Sequence, residues 1–286
     1  MVVAKDEIKT VYNETAEYPE LLNQIENPPE KLYYTGKLEL GKTRCLAIVG
    51  SRKATAYGKW AAYNIAKRAA DHGITIVSGL ARGVDSYAHK GALDAGGNTI
   101  AVLGCGIDIC YPKENKSLMK AIAKKGLVIS EYPIGSTPLR HHFPLRNRII
   151  SGLSETVVVV EASLNSGSLI TADYALNQGR EVFAVPGNIN NILSIGSNKL
   201  IQDGATPIVV IDDILEAFSI KERKEIELTK DERIILRFIK EHGEITTSYL
   251  SKISRKPASV VSDLVTNLEM KGKVQTSSDK IYIAKF

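Results

Sequence analysis

The stretch CLAIVGSRKATAYGKW, residues 45–60, joins an apolar run to a helical pattern through one glycine. Residues 45–49 read as a buried strand, the run breaks at Gly50, and from Tyr57 the spacing turns helical. A strand, a glycine turn and a helix together aim backbone N–H groups at a phosphate. The glycines, however, do not fit a nucleotide loop. A dinucleotide fingerprint needs G-x-G-x-x-G, and only Gly50 precedes Gly58. A Walker A loop needs G-x-x-x-x-G-K-[ST], but Gly58-Lys59 is followed by Trp60, and Lys53 stands where the first glycine belongs. Ser51, Arg52 and Lys53 occupy the place of the extra glycines. A turn with an arginine in it holds a single phosphate through amides, hydroxyls and a guanidinium fork. Gly50, Ser51 and Arg52 are therefore candidate anion-binding residues. The alternative is a helix start with incidental surface charge.

The same alternation continues along the chain. Runs rich in Val and Ile at 45–49, 75–78, 99–103, 127–130, 156–161, 181–185 and 207–211 alternate with helix-length segments at 57–72, 84–95, 115–125, 145–153, 169–178 and 194–203. Continuously apolar strands with helical crossovers predict a mostly parallel sheet covered on both faces. The expected architecture is an α/β, extended Rossmann-like, doubly wound domain over 41–218, with its ligand at the carboxyl ends of the strands. Residues 1–40 are charged, with two prolines in NPPEKLYYTG (27–36), and read as a lead-in that packs on this domain. A charged linker spans 219–228. Residues 229–286 have a different character. Thr229 is a candidate N-cap, Ile234, Ile235, Phe238 and Ile239 form a helical stripe, and Gly243 is a stop. A second short helix, a third beginning at Pro257 and a closing hairpin predict a small winged-helix domain, a fold that serves both DNA binding and protein docking. Its third helix is not strongly basic.

The 286 residues carry a formal charge of +5, which permits a nucleic-acid partner without demanding one. The three cysteines are too few for a disulfide framework, and Cys105-x4-Cys110 lacks a second half for zinc, so no metal is expected. No apolar h-region opens the chain and no 18-residue apolar span follows, so a soluble cytoplasmic protein with no membrane partner is expected.

The loops at the carboxyl ends of the strands hold the chemistry. SGLARGVD (78–85) brings Arg82 between two glycines, and GCGIDICYPKEN (104–115) places Lys113 near the rim. SEYPIGSTPLRHHFPLRNRIISG (130–152) is the richest, with Arg140, Arg146 and Arg148 around Phe143. Basic side chains interleaved with an aromatic suit single-stranded nucleic acid, with arginines on phosphates and a ring under a base. The alternative puts Arg146 and Arg148 on neighbouring carbonyls and Phe143 in the core. Ser166, Gly167 and Ser168 form a second helix N-terminus able to take an anion. Glu161 and Asp173 are the carboxylates beside this edge, and both can be read as structural. No Ser/His/Asp or Cys/His arrangement stands out, so no catalytic residue and no cofactor is expected.

The ordered motifs GSR, SGLARGVD, GCGIDICYPKEN, SEYPIG…FPLRNRIISGLSETVVVVEAS…SGSLITADYA and GREVFAVPG resemble those of the DprA/Smf DNA processing protein family, over about residues 18–218. The resemblance implies a cytoplasmic, homodimeric, non-enzymatic single-stranded-DNA-binding protein. Such a protein protects incoming DNA in natural transformation and loads RecA recombinase onto it. By motif, Arg52 matches a DNA-contact arginine, Arg140 a basic contact three residues before the base-contacting Phe143, and Lys113 a basic pocket position. Arg146 and Arg148 belong to the same motif. Dimer and RecA surfaces are expected around 211–218, without assignable residues. Many members carry a helical domain ahead of the Rossmann domain, for which forty residues are too few. Two alternatives stand beside this reading. A nucleoside monophosphate hydrolase would show P-G-G-x-G-T-x-x-E, and the nearest stretch, NSGSLITAD, lacks the glutamate. A winged-helix transcription regulator sits poorly with the neutral third helix.

Overall fold

Every residue of the first apolar run is buried in the computed structural model, as expected for a strand with neighbours on both sides. The structure describes residues 7–220, 228–271, 273–277 and 280–283. The chain parts into two compact units near residue 221.

The first unit runs β1 (Lys9–Tyr12), α1 (Glu20–Asn23), β2 (Lys31–Gly36), β3 (Cys45–Val49), α2 (Ala56–Asp71), β4 (Thr75–Ser78), α3 (Val84–Asp94), β5 (Thr99–Leu103), α4 (Lys116–Lys125), β6 (Leu127–Ser130), α5 (His142–Gly152), β7 (Thr156–Val159), α6 (Gly167–Asn177), β8 (Glu181–Ala184), α7 (Ile195–Gln202), β9 (Thr206–Pro207) and α8 (Asp213–Ala217). Its nine strands lie in the order β1-β2-β6-β5-β4-β3-β7-β8-β9. From β6 to β9 all pairs are parallel. The architecture is thus an α/β Rossmann-like fold with a mostly parallel sheet. The order reverses at β3, which pairs with β4 on one side and β7 on the other. Such a switch point opens a crevice beyond the carboxyl ends of the strands.

Helices cover both faces. Ala61, Ala62, Ile65, Ala66 and Ala69 form the buried stripe of α2, packed with α3 and α8 over one face. Small residues let α2 and α3 approach closely, since a Cβ on Gly91 would lie 2.2 Å from the Tyr63 carbonyl oxygen. Residues of α1, α5 and α6 pack over the other face.

Two expectations change. The lead-in contributes β2, antiparallel to β6, and β1 outside it, while Tyr18 and Leu22 enter the core. The strand expected at 207–211 stops at Pro207. Ile208 N–H still reaches the Ala184 carbonyl, but the amides of Val209 and Val210 turn to the Asp213 carboxylate at 2.7 and 2.9 Å. A local carboxylate acceptor outcompetes the ladder.

In the second unit, α9 (Lys230–His242), β10 (Glu244–Thr246), α10 (Thr247–Ser254), α11 (Ala258–Met270), β11 (Val274–Ser277) and β12 (Lys280–Ile283) give three helices and an antiparallel sheet ordered β10-β12-β11. Thr229 and Glu232 form a capping box on α9, and Gly243 ends it at φ 73°. Residues 221–227 of the expected linker lie outside the described residues.

Candidate nucleic-acid interface

Gly50 ends β3 where a side chain has no room: a Cβ there would stand 2.7 Å from Val84 Cγ2. The Ser51 amide donates to the Glu161 carbonyl at 2.7 Å, and Ser51 O accepts from Val84 N at 3.2 Å. Thr55 caps α2 by accepting from Gly58 N at 3.1 Å. Glu161, only 1% exposed, then accepts from the Thr55 amide at 2.9 Å and from its hydroxyl. A Cβ on Gly58 would lie 2.3 Å from Glu161 Oε2. The anion at the N-terminus of α2 is therefore the protein's own carboxylate. Where residues 45–60 suggested a phosphate at this helix start, the structure places the Glu161 carboxylate, while Gly50, Ser51 and Arg52 line the cavity described below. The GSR turn offers instead the side chains of Arg52 and Lys53, both exposed and without an ion-pair partner among the described residues.

The N-terminus of α6 is different. Ser166 caps it, with its hydroxyl 3.4 Å from Ser168 N and 2.7 Å from Ser168 Oγ. Around a Cβ on Gly167 there would be open space. Asn147 Nδ2 donates to the Gly167 carbonyl at 3.0 Å and holds this turn against α5. Ser166, Gly167 and Ser168 line a cavity of about 590 Å³, and no carboxylate caps this helix start among the described residues.

That cavity gathers Gly50, Ser51, Arg52, Arg140, Phe143, Arg146, Ser166, Gly167 and Ser168. The Arg52 guanidinium lies over the Phe143 ring at 5.3 Å. Phe143 also meets Tyr111 at 5.4 Å, and a Cβ on Gly104 would lie 2.9 Å from its ring, so the ring rests on bare backbone. Arg140 is exposed, with no partner among the described residues.

Arg146 and Arg148 take the structural alternative. Arg146 is 4% exposed and donates to the carbonyls of Gly79 (2.9 Å) and Val102, and to Asn147 Oδ1. Its guanidinium closes the ends of β4 and β5 and lines the cavity with its donors already engaged by those carbonyls. Arg148 forms a two-pronged ion pair with Glu131 at 2.7 and 2.8 Å and donates to the Asn27 carbonyl, tying α5 to the lead-in. Neither arginine is free to take a phosphate as drawn. Lys113 is exposed on the loop carrying Tyr111 but does not line the cavity.

Tyr111, Asn147 and Asp85 belong to the site without having been singled out. Asn147 lies one turn from Phe143 on α5, a spacing that could have found it. Asp85 is the carboxylate of the lining, opposite four cations: Arg52, Lys53, Arg140 and Arg146. It is buried and accepts from the amides of Gly79 (3.1 Å) and Ala81 (3.3 Å). Burial pushes its carboxyl above the usual range, against the opposing pull of Arg146. All three cysteines are buried, and burial pushes Cys45 and Cys105 up to about 12, which removes them as nucleophiles at neutral pH. Among the described residues no three His, Cys, Asp or Glu gather as metal ligands, and no helix is long and apolar enough to cross a membrane.

Similarity to known proteins follows the same region. The DprA of Streptococcus pneumoniae is 46% identical over 201 residues, which is 70% of this chain and 71% of that protein. The Bacillus subtilis DprA is 46% identical over 210 residues, 73% of this chain and 71% of its own length. The X-ray structure of DNA processing protein A from S. pneumoniae has a TM-score of 0.71 at 44% identity and covers 73% of this chain and 74% of that one. The Helicobacter pylori DNA processing protein A, whose structure concerns its single-stranded DNA binding mode, has a TM-score of 0.68 at 33% identity and covers 74% and 96%. The family description DNA recombination-mediator protein A matches residues 9–219. With the fold, the edge loops and the sequence agreeing over that span, the chain belongs to the DNA recombination-mediator protein A family.

Proposed function

We propose that this chain binds single-stranded DNA across the carboxyl edge of its sheet, in the cytoplasm and as a homodimer, and delivers it to RecA recombinase in natural transformation. The reading is of a binding protein and not an enzyme. Arg52 at 5.3 Å over Phe143, on the rim of a strongly cationic cavity, is the observation that carries it. An exposed guanidinium beside a ring combines a phosphate ligand with a base platform, a pairing suited to unpaired strands. The open start of α6 adds neutral donors for a second phosphate. The H. pylori relative's single-stranded DNA binding supports the substrate class. The family's description as a recombination mediator supports hand-over to a recombinase. Glu161, held by Thr55 through both oxygens, is unsuited to act as a hydrolytic base, which favours binding over cleavage.

Fluorescence anisotropy with labelled oligo-dT tests this. Phe143→Ala is expected to lose ~1–3 kcal/mol, the value of one stacked base. Arg52→Ala should weaken binding several-fold and flatten the log–log salt slope by ~0.7. Equal affinity for duplex and single strand, or wild-type affinity in both variants, sinks the reading. Delivery to RecA is checked by recombinase filament assembly on oligo-dT coated with a single-strand-binding protein; no acceleration by the chain refutes it.

A further inference from the structure

The turn after β4 is built with unusual care around a residue with no assigned role. Leu80 is fully buried yet has φ 57°, a left-handed conformation that a branched side chain adopts only when its surroundings impose it. The restraints are visible. Asn115 Nδ2 donates to the Leu80 carbonyl and to Ser86 Oγ, both at 2.8 Å. Ser86 Oγ donates to the Ala81 carbonyl, and Asp85 accepts from the amides of Gly79 and Ala81. Arg82 follows directly, between Ala81 and Asp85, both of which line the cavity. Its side chain is 62% exposed and pairs with Glu114, itself 62% exposed, on the loop that carries Tyr111 and Lys113. A strained turn held by side-chain hydrogen bonds thus fixes the origin of an arginine whose ion-pair partner among the described residues is a solvent-exposed carboxylate.

We propose that Arg82 is a phosphate ligand of the DNA site and that Glu114 is its placeholder, displaced when a strand enters. This rests on the single-stranded-DNA reading above. A carboxylate and a phosphate present the same fork of oxygens to a guanidinium, so the exchange preserves the geometry of Arg82. An exposed ion pair is weak and screened by salt, so little opposes its opening. Displacement also turns a negative charge away from the path of the incoming backbone, next in sequence to the exposed Lys113. Exchange extends the cationic edge from Arg52 towards the loop after β5.

Oligo-dT titrations of the full chain at several salt concentrations test the exchange. Arg82→Ala should bind roughly 3–10-fold more weakly, with the salt slope reduced by ~0.7. Glu114→Gln should bind roughly 2–5-fold more tightly at low salt, with the gain fading as salt screens the removed charge. A gain in affinity cannot arise from misfolding, so Glu114→Gln keeps the test decisive even if Arg82→Ala is unstable. Weaker binding by Glu114→Gln, or both variants matching the wild type in affinity and slope while Arg52→Ala is impaired, overturns the placeholder alone. Failure of the wild type to bind oligo-dT overturns the reading beneath it.

Discussion

Helices α2 and α6 begin after adjacent parallel strands, β3 and β7, on the same edge of the same sheet. Both start with a hydroxyl cap, Thr55 in one and Ser166 in the other. Yet α2 receives the buried Glu161 carboxylate, whereas α6 opens on the cavity. A helix N-terminus is an anion site only when the fold has not already supplied the anion. Here the carboxylate comes from the end of β7, so one strand end closes its neighbour's helix and leaves its own open.

The contrast can be broken most forcefully at Glu161. Glu161→Ala leaves the Thr55 amide and hydroxyl without their acceptor. The expected loss is about 3 kcal/mol, from the value of hydrogen bonds to a charged group. For a unit of this size that is a fall in Tm on the order of 10 °C, read by scanning calorimetry. An unchanged Tm contradicts the carboxylate's closing role. Gly58→Ala comes next. In most helix interiors alanine stabilises, but here its methyl group meets Glu161, so a loss of about 1–3 kcal/mol is expected in chemical denaturation. The smallest effect sharpens the other side. Gly167→Asp gives α6 the carboxylate that α2 already has. There is open space around that position, so the melting curve should stay with the wild type while oligo-dT affinity falls about fivefold, the ~1 kcal/mol of one nearby like charge in water. If Gly167→Asp binds normally, the α6 start is not part of the DNA path.

Much of this was legible in the residues. Period and breakers gave the parallel sheet, and the loops at its carboxyl edge drew attention to Arg52, Arg140 and Phe143, which the fold brings to one cavity. The partnership of Glu161 with Thr55 was not legible, because 106 residues separate them and only the β3–β7 pairing brings them together. The direction of Arg146 was recoverable in principle. Phe143, Arg146, Asn147 and Ile150 follow helical spacing and all line the cavity from α5. Pro144 obscured this, since it suggested irregular chain. It sits in the first turn of α5, where its missing N–H has no intrahelical acceptor to lose. Strand β2 was hidden for the opposite reason: its partner β6 lies far along the chain, and two prolines precede it.

Arg146 has a consequence for mutational screens. Its one guanidinium pins the carbonyl ends of β4 and β5 to the helix that bears Phe143, so three walls of the cavity share a single rivet. A scan that scores only DNA retention would place Arg146 beside Arg52 as an equal contact. Paired melting data would separate them: truncation at Arg52 leaves the walls standing, while truncation at Arg146 strands two buried carbonyls and lets the walls drift apart.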